Sequence, residues 1–273
     1  MKALGGWASS QSSVRLRLER MVDSASTSRP GRITFIVTWV PRRPMISWVF
    51  FDLGGTLLDD SELHDFLCRT YIDLLAEHGH RVSLKEFTEL RDLLIARHAH
   101  PLLKSIVTEL TRRPEITEEI QTEARKRMAG MEVRTQRAFP EALAVLEEAG
   151  RHASLGVIAN QQRGVREVLR RDGLEPLLRA VYISEEAGMM KPDAALFERA
   201  LRETACCPSE AAMVGDRLDN DVEPAKALGF HTIRVRWGVF RHQQPLTVNQ
   251  RPDVEVATLG EVPHALERLA RRE

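Results

Sequence analysis

Three aspartates and one lysine follow, or lie near, segments whose sequences predict β-strands. These residue types together can hold a divalent cation and a phosphate. Asp52 directly follows the apolar run at 46–51, and Asp216 follows another such run. Runs of this kind are typical of strands buried in a parallel sheet, whose carboxyl ends bind ligands. Asp221 comes five residues after Asp216, and Lys191 precedes a predicted helix. The pattern predicts carboxylates gathered beside one ammonium group.

Oxygen ligands from two carboxylates, with positions left for water, suit Mg²⁺. Asp52 and Asp216 would supply them, and Asp221 could support the metal directly or through water. This geometry would align the free oxygen of Asp52 for in-line attack on a phosphate, giving a covalent phosphoryl-aspartate. Lys191 would neutralise charge between the nucleophile and the phosphate. It is one of only six lysines, against 33 arginines, so a lysine at this place favours a function.

These segments, in this order, resemble the haloacid dehalogenase superfamily of aspartate-nucleophile hydrolases. The resemblance extends over about residues 46–270, and its most specific parts are the Lys-Pro and Gly-Asp…Asp elements at 191–192 and 215–221. It implies that Asp52 is the nucleophile and that Asp216 is a metal ligand. It also implies that Asp221 is an acid at or behind the metal site.

The resemblance assigns further residues around the nucleophile. Gly54 would contribute its backbone carbonyl to the metal, and Gly55 and Thr56 would shape the phosphate-binding loop. Asn160 and nearby backbone N–H groups would hold phosphate oxygens. Arg163 and Arg217 could also contact the phosphate, but in so arginine-rich a chain the sequence favours a solvated arginine at each position.

Two positions depart from the family pattern. Gly54 stands where the related phosphatases usually have a second aspartate, which protonates the leaving alkoxide and then activates water; such a loss typically costs about 10²–10⁴-fold. Ala159 stands where the family usually has Ser or Thr, and a lost hydrogen bond to a charged group costs roughly 1.5–3 kcal/mol.

These departures leave three interpretations open. The first is a phosphatase whose acid and base come from a cap residue, from Asp59 or from water. The second is the dehalogenase branch, which also lacks the second aspartate; it is disfavoured because that branch does not use Mg²⁺, whereas Asp216 and Asp221 resemble a metal site. The third is a catalytically impaired relative that binds Mg²⁺ and a phosphorylated ligand.

The elements that must position these residues alternate between helix and strand from 139 onward, which predicts a doubly wound parallel α/β sheet. Residues 61–137 have almost pure helical periodicity, with a capping-box pattern at Ser83 and Glu86. The resemblance implies that this insert is a cap over the active site. The predicted domains are therefore a core at 45–60 and 138–273, a cap at 61–137, and a basic, disordered extension at 1–44.

The composition of the chain limits the classes of binding partner that can be expected. The net charge is zero, but residues 1–44 carry eight basic and two acidic residues, leaving 31 basic and 37 acidic residues in the remainder. Nothing here favours nucleic acid or a membrane surface as the partner, and no apolar run reaches the length of a membrane span. The three cysteines are a poor disulfide framework, which favours a reducing compartment. We expect a cytoplasmic monomer or homodimer acting on a small phosphorylated substrate.

Overall fold

The computed structural model describes residues 15–21, 34–40 and 45–271. Two strands, β1 at Arg15–Met21 and β2 at Thr34–Val40, pair antiparallel with Arg15 opposite Val40. Over these strands the chain has regular pairing rather than the disorder expected from its composition. The rest of the predicted extension at 1–44 lies outside the described residues. The segment 1–44 and the segment 45–273 are two separate units.

Six parallel strands form the central sheet of the second unit. They are β3 at Trp48–Phe51, β6 at Ser154–Ala159, β7 at Ala180–Ile183, β8 at Ala211–Gly215, β9 at His231–Val235 and β10 at Val254–Val256. Their spatial order is β10-β9-β8-β3-β6-β7. The chain therefore leaves β3 in one direction and returns to its other side, which makes the end of β3 the switch point of the sheet.

Both faces of the sheet are buried, which explains the continuous apolar runs. Val49 and Phe51 of β3 pack into one hydrophobic cluster, whereas Phe50 packs into the cluster on the opposite face. The first cluster includes α6 at Ala142–Gly150, α7 at Val165–Arg171 and α11 at Val262–Arg271. The second includes α9 at Ala194–Thr204 and α10 at Glu223–Leu228, and a short α8 spans Ser184–Ala187. The predicted doubly wound α/β fold is confirmed.

Four helices of the insert share a hydrophobic cluster of their own. They are α1 at Ser61–Glu77, α2 at Leu84–Ala96, α3 at Leu102–Thr111 and α4 at Pro114–Met128. The predicted capping box at the start of α2 is present, since Ser83 and Glu86 exchange hydrogen bonds. The short α5, Met131–Thr135, leads back toward the core.

The insert joins the core through two strands of two residues each. β4 at Leu58–Asp59 and β5 at Arg137–Ala138 pair antiparallel, so the chain enters and leaves the insert side by side. Among the described residues, no helix is long and apolar enough to span a membrane.

Candidate active site

Asp52 lies directly after β3, at the switch point of the sheet. Its backbone N–H donates to the carbonyl of Val214 on β8 at 2.8 Å, which extends the sheet by one residue. Its carboxylate is nearly buried and lies 2.8 Å from the ammonium of Lys191. The strand thus fixes the backbone of Asp52, and the lysine fixes its side chain.

Asp216 and Asp221 approach Asp52 from the end of β8. Carboxylate oxygens of the three residues lie within 4.8 Å of one another. Asp221 is held twice, because its Oδ1 accepts from Lys191 Nζ at 2.5 Å and its Oδ2 accepts from the Arg217 backbone N–H at 3.0 Å. It sits in a π-helical turn at Leu218–Val222, which aims the carboxylate inward.

Two glycines provide the space in which these carboxylates sit. A Cβ on Gly215 would lie 2.4 Å from the Asp221 Cγ, and a Cβ on Gly55 would lie 2.7 Å from the Asp216 Oδ2. Gly55 also has a positive φ of 68°, a conformation that other residues rarely adopt. The glycines are therefore required by close packing against the acids.

Lys191 is 1 % exposed and is held from both its ends. Its ammonium contacts Asp52 and Asp221, while its backbone pairs with the side chain of Asn160. Asn160 accepts from the Lys191 N–H and donates to the Lys191 carbonyl, each at 2.8 Å. The amide that was predicted to hold phosphate therefore positions the lysine in this structure.

The three carboxylates share one ammonium group, and the pKa values of these residues are shifted by burial and by their mutual charges. Burial raises the pKa of Asp52 to about 6, against the lowering effect of Lys191. Burial, together with the charges of Asp221 and Asp52, raises the pKa of Asp216 well above its ordinary value. Burial alone would lower the pKa of Lys191, but the charges of Asp221 and Asp52 outweigh it and raise that pKa.

The donor set fits a divalent cation. Within the described part of the chain, no donor binds the Asp216 carboxylate, whereas Asp52 and Asp221 are both engaged by Lys191. Three close carboxylates with a single ammonium leave negative charge that one divalent ion would balance, and hard oxygen ligands suit Mg²⁺. Asp52, Asp216 and Asp221 are thus the residues that could hold it.

The loop after Asp52 uses its amides internally. The N–H of Gly55 donates to the Leu58 carbonyl at 2.9 Å, and that of Thr56 donates to the Leu53 carbonyl at 3.1 Å. The Thr56 hydroxyl is fully buried and has no hydrogen-bond partner among the described residues. The backbone N–H groups of Gly55 and Thr56 are therefore already occupied by hydrogen bonds within the loop.

Two arginines named from the sequence behave differently. Arg163 is exposed and pairs with Glu185, in keeping with a solvated side chain. Arg217 is not solvated: its guanidinium binds both oxygens of Asp219 and lies 4.3 Å from the centre of the Phe240 ring. The expectation of a solvated Arg217 was wrong because the ring and the aspartate together bury it.

One acidic residue at the site was missed. Asp60 lies beside Gly54, where its carboxylate fills the space that a side chain at that position would take. The sequence signal for it is the pair of adjacent acids Asp59-Asp60 after the loop, in which the sequence does not distinguish the two carboxylates.

A cavity of about 490 Å³ opens between the insert and the core. The core side includes Asn160 and Gln161, next to the Lys191 loop. The insert side is mostly apolar and includes one cation. Its lining residues are Leu63, Leu67, Tyr71, Ala124, Arg125 and Met128. A cavity of this size accommodates a small metabolite.

Comparison with known proteins agrees with this geometry. The family model for haloacid dehalogenase-like hydrolases matches residues 49–235, which include the four acidic and basic residues of the site. The chain is 28 % identical over 238 residues to a glyceraldehyde 3-phosphate phosphatase from Methanopyrus kandleri, covering 83 % of this chain and all of that protein.

Two other relatives indicate the range of chemistry among similar proteins. A phosphoserine phosphatase from Thermus thermophilus is 40 % identical over 126 residues, covering 45 % of this chain and 49 % of that protein. The crystal structure of a 2-haloacid dehalogenase from Pseudomonas syringae superposes with a TM-score of 0.53 at 26 % identity, covering 82 % of this chain and 99 % of that one.

Proposed function

Because this chain belongs to the haloacid dehalogenase-like hydrolases and is an enzyme of the phosphatase type, we propose that it hydrolyses a small phosphorylated metabolite with Mg²⁺ through an aspartyl-phosphate. The observation that carries the proposal is the convergence of Asp52, Asp216 and Asp221 around the single ammonium of Lys191. The surplus of carboxylates over ammonium groups would be balanced by a divalent cation, which a phosphate substrate could then share.

The carboxylate of Asp52 is the nucleophile in this proposal. Mg²⁺ held by Asp52, Asp216 and Asp221 would supply charge neutralisation for the phosphate. The free oxygen of Asp52 attacks phosphorus, the bond from phosphorus to the leaving oxygen breaks, and water later hydrolyses the aspartyl-phosphate. Lys191 stabilises the charge on Asp52 and on the transferring group, and Asn160 keeps it in place. The carbonyl of Gly54 is proposed as a further metal ligand.

The cavity between insert and core is the proposed substrate chamber. Its apolar insert side, from Leu63 to Met128, would contact the body of a small substrate, and Arg125 would contact an anionic group on it. The similar glyceraldehyde 3-phosphate phosphatase and phosphoserine phosphatase make phosphorylated three-carbon compounds the first substrates to test.

The test is turnover of a panel of phosphorylated metabolites by the purified chain, with and without Mg²⁺. The panel includes glyceraldehyde 3-phosphate and phosphoserine. We expect Mg²⁺-dependent release of phosphate that falls by at least about 10³-fold in Asp52→Asn. Asp73→Asn, an exposed aspartate on α1, is the matched control and should keep wild-type turnover. Turnover that survives Asp52→Asn would refute the assignment of the nucleophile.

The dehalogenase reaction is the second candidate function. The glycine at position 54 and the similarity to a 2-haloacid dehalogenase favour it. The third carboxylate, and the excess of negative charge that it leaves over the ammonium of Lys191, disfavour it. Chloride release from 2-chloropropionate in the absence of a metal would support this candidate. Binding of Mg²⁺ and inorganic phosphate without turnover of any substrate would instead indicate a catalytically impaired relative.

A further inference from the structure

The space beside Gly54 is occupied by a carboxylate from elsewhere in the chain. A Cβ built on Gly54 would lie 2.6 Å from the Asp60 Oδ2 and 3.4 Å from the Gln161 Nε2. A carboxylate is therefore present where a side chain at position 54 would project, although the residue at that position has none.

Asp60 and its neighbour Asp59 use their carboxylates differently. The Oδ1 of Asp59 accepts from the backbone N–H of Ser61 at 2.9 Å and from its hydroxyl at 2.6 Å. Asp60 stands at the N-cap of α1, but its side chain makes no capping hydrogen bond. The carboxylate of Asp59 is thus engaged locally, while that of Asp60 caps no backbone N–H group of the helix.

The Asp60 carboxylate faces the catalytic cluster. It is 14 % exposed, and its Oδ2 lies 3.3 Å from the Nε2 of His64, one turn along α1. The rings of His64 and Phe240 are steeply inclined with their centres 6.5 Å apart, and Phe240 also contacts the guanidinium of Arg217. Asp60 is also close enough to Asp216 for its charge to contribute to the raised pKa of that residue.

We propose that Asp60 is the catalytic acid and base of the reaction proposed above, taking the part that Gly54 cannot play. The inference depends on that proposed function. The acid is then supplied from the junction between core and insert, at the first residue before α1, and not from the loop after Asp52.

The proton balance of this assignment is complete. As the Asp52 oxygen bonds to phosphorus and the bond to the leaving oxygen breaks, the Asp60 carboxyl gives its proton to the leaving alkoxide, which departs as an alcohol. Water then attacks the phosphorus of the aspartyl-phosphate, Asp60 takes a proton from that water, and the bond from phosphorus to Asp52 breaks. Phosphate leaves, Asp52 is free again, and Asp60 is protonated for the next cycle.

Substrates with different leaving groups distinguish a catalytic role of Asp60 from a structural one. An alkyl phosphate needs a proton on its leaving oxygen, whereas 2,4-dinitrophenyl phosphate expels a stable anion without one. With Asp60→Asn we expect turnover of the alkyl phosphate to fall by about 10²–10³-fold. The first burst of dinitrophenolate should stay within about fivefold of the wild type, and labelled phosphoenzyme should accumulate because the second step lacks its base.

Matched variants give the comparison. Asp65→Asn removes an exposed charge from the same helix and should behave as the wild type, and Asp59→Asn tests the rival acid. Calorimetric Mg²⁺ binding by Asp60→Asn should stay within about threefold of the wild type, and its melting temperature should be unchanged. A double variant moves the carboxylate to position 54. Gly54→Asp combined with Asp60→Ala should be at least tenfold more active than Asp60→Ala alone.

The outcomes separate the two proposals. Asp60→Asn that turns over the alkyl phosphate at the wild-type rate overturns the role of Asp60 alone. Equal losses with both leaving groups also overturn it, as does a leaving-group effect that appears in Asp59→Asn instead. Absence of turnover by the wild type with every phosphate ester would instead defeat the proposed function and, with it, this inference.

Discussion

At the scale of single residues, the clustered carboxylates of the candidate site depend on glycines that leave room for them. Gly215 is the clearest case, because its backbone has ordinary dihedral angles and only the space argues for glycine. The nearest atoms to an added Cβ are all in Asp221, at 2.4 to 2.6 Å. A methyl group here must displace the carboxylate, which is fully buried and paired with Lys191.

Gly215→Ala should therefore weaken the metal site and the fold together. We expect Mg²⁺ affinity to fall by at least tenfold and the free energy of unfolding to fall by about 1–3 kcal/mol, the usual cost of overpacking. Calorimetric titration and denaturant unfolding measure both. Gly260→Ala is the control, because its Cβ would have only the Thr258 hydroxyl within 4 Å, at 3.9 Å. Wild-type Mg²⁺ affinity in Gly215→Ala would contradict the placement of Asp221.

The raised pKa values of Asp52 and Asp216 make the stability of the metal-free protein depend on pH. Asp52 titrates near 3.8 when unfolded and at about 6 when folded, so the folded chain binds more protons between these values. The free energy of unfolding should therefore fall as pH rises from about 4 to about 6. Asp52→Asn should flatten this dependence.

Mg²⁺ should reverse that trend, because it binds the ionised carboxylates. At pH 7.5, an Mg²⁺ concentration of 100 times the dissociation constant should stabilise the fold by about 2.7 kcal/mol. The same concentration at pH 5 should give less than half of that effect, since protons compete for the ligands. Thermal melts with and without Mg²⁺ at the two pH values measure it. Equal stabilisation at both pH values would contradict the proposed ligand set.

Much of the site could be predicted at this scale, but not all of it. Asp52, Lys191, Asp216 and Asp221 each follow a strand or lie in a loop next to a strand end, so sheet topology alone brings them together. The arrangement of Asp60 beside Gly54 depends on the path of the chain into the insert. No periodicity or motif encodes that path, so the residue was overlooked.

At the scale of elements, Asn160 joins two loops of the core. It follows β6, and its side chain binds the backbone of Lys191 in the loop before α9 through two hydrogen bonds of 2.8 Å. The sequence correctly placed an amide at the end of this strand. It could not tell whether the amide faces the substrate or the neighbouring loop, since both positions lie at the same edge of the sheet.

Asn160→Ala should loosen the lysine loop. We expect the free energy of unfolding to fall by about 1–3 kcal/mol, since the removed bonds leave two backbone groups unpaired. Turnover should fall by more than tenfold because Lys191 loses its position. Asn249→Ala, which removes an exposed amide remote from the cavity, is the control. An unchanged free energy of unfolding together with a raised KM would instead be the behaviour of the phosphate contact predicted from the sequence.

The elements themselves were predictable to the extent that their burial is periodic. The parallel strands with continuous apolar runs and the helices with capping signals were found, such as α2 with its Ser83–Glu86 box. The strand β10 at Val254–Val256 cannot be predicted in this way, because an edge strand of three residues with an exposed Glu255 has too little pattern. The linker strands β4 and β5 cannot be predicted either, because their pairing depends on the insert between them.

At the scale of the whole molecule, the charge asymmetry coincides with the division into two units. Residues 1–44 carry eight basic and two acidic residues, whereas acidic residues are in excess in the second unit, which contains the candidate active site and the three hydrophobic clusters. Each of those clusters is formed from elements of that second unit. Every residue to which the proposed chemistry is assigned lies in that second unit.

A chain that starts at Met45 should consequently fold and keep its activity. We expect a melting temperature within about 3 °C of the full chain, because a loss of 1 kcal/mol would shift it by about 2–4 °C at this size. Turnover and Mg²⁺ affinity should stay within twofold. Circular dichroism melts, phosphate release and calorimetry on both chains measure these quantities. An insoluble or inactive product would show that residues 1–44 contribute to the fold or the site, and would refute the prediction that the extension is dispensable.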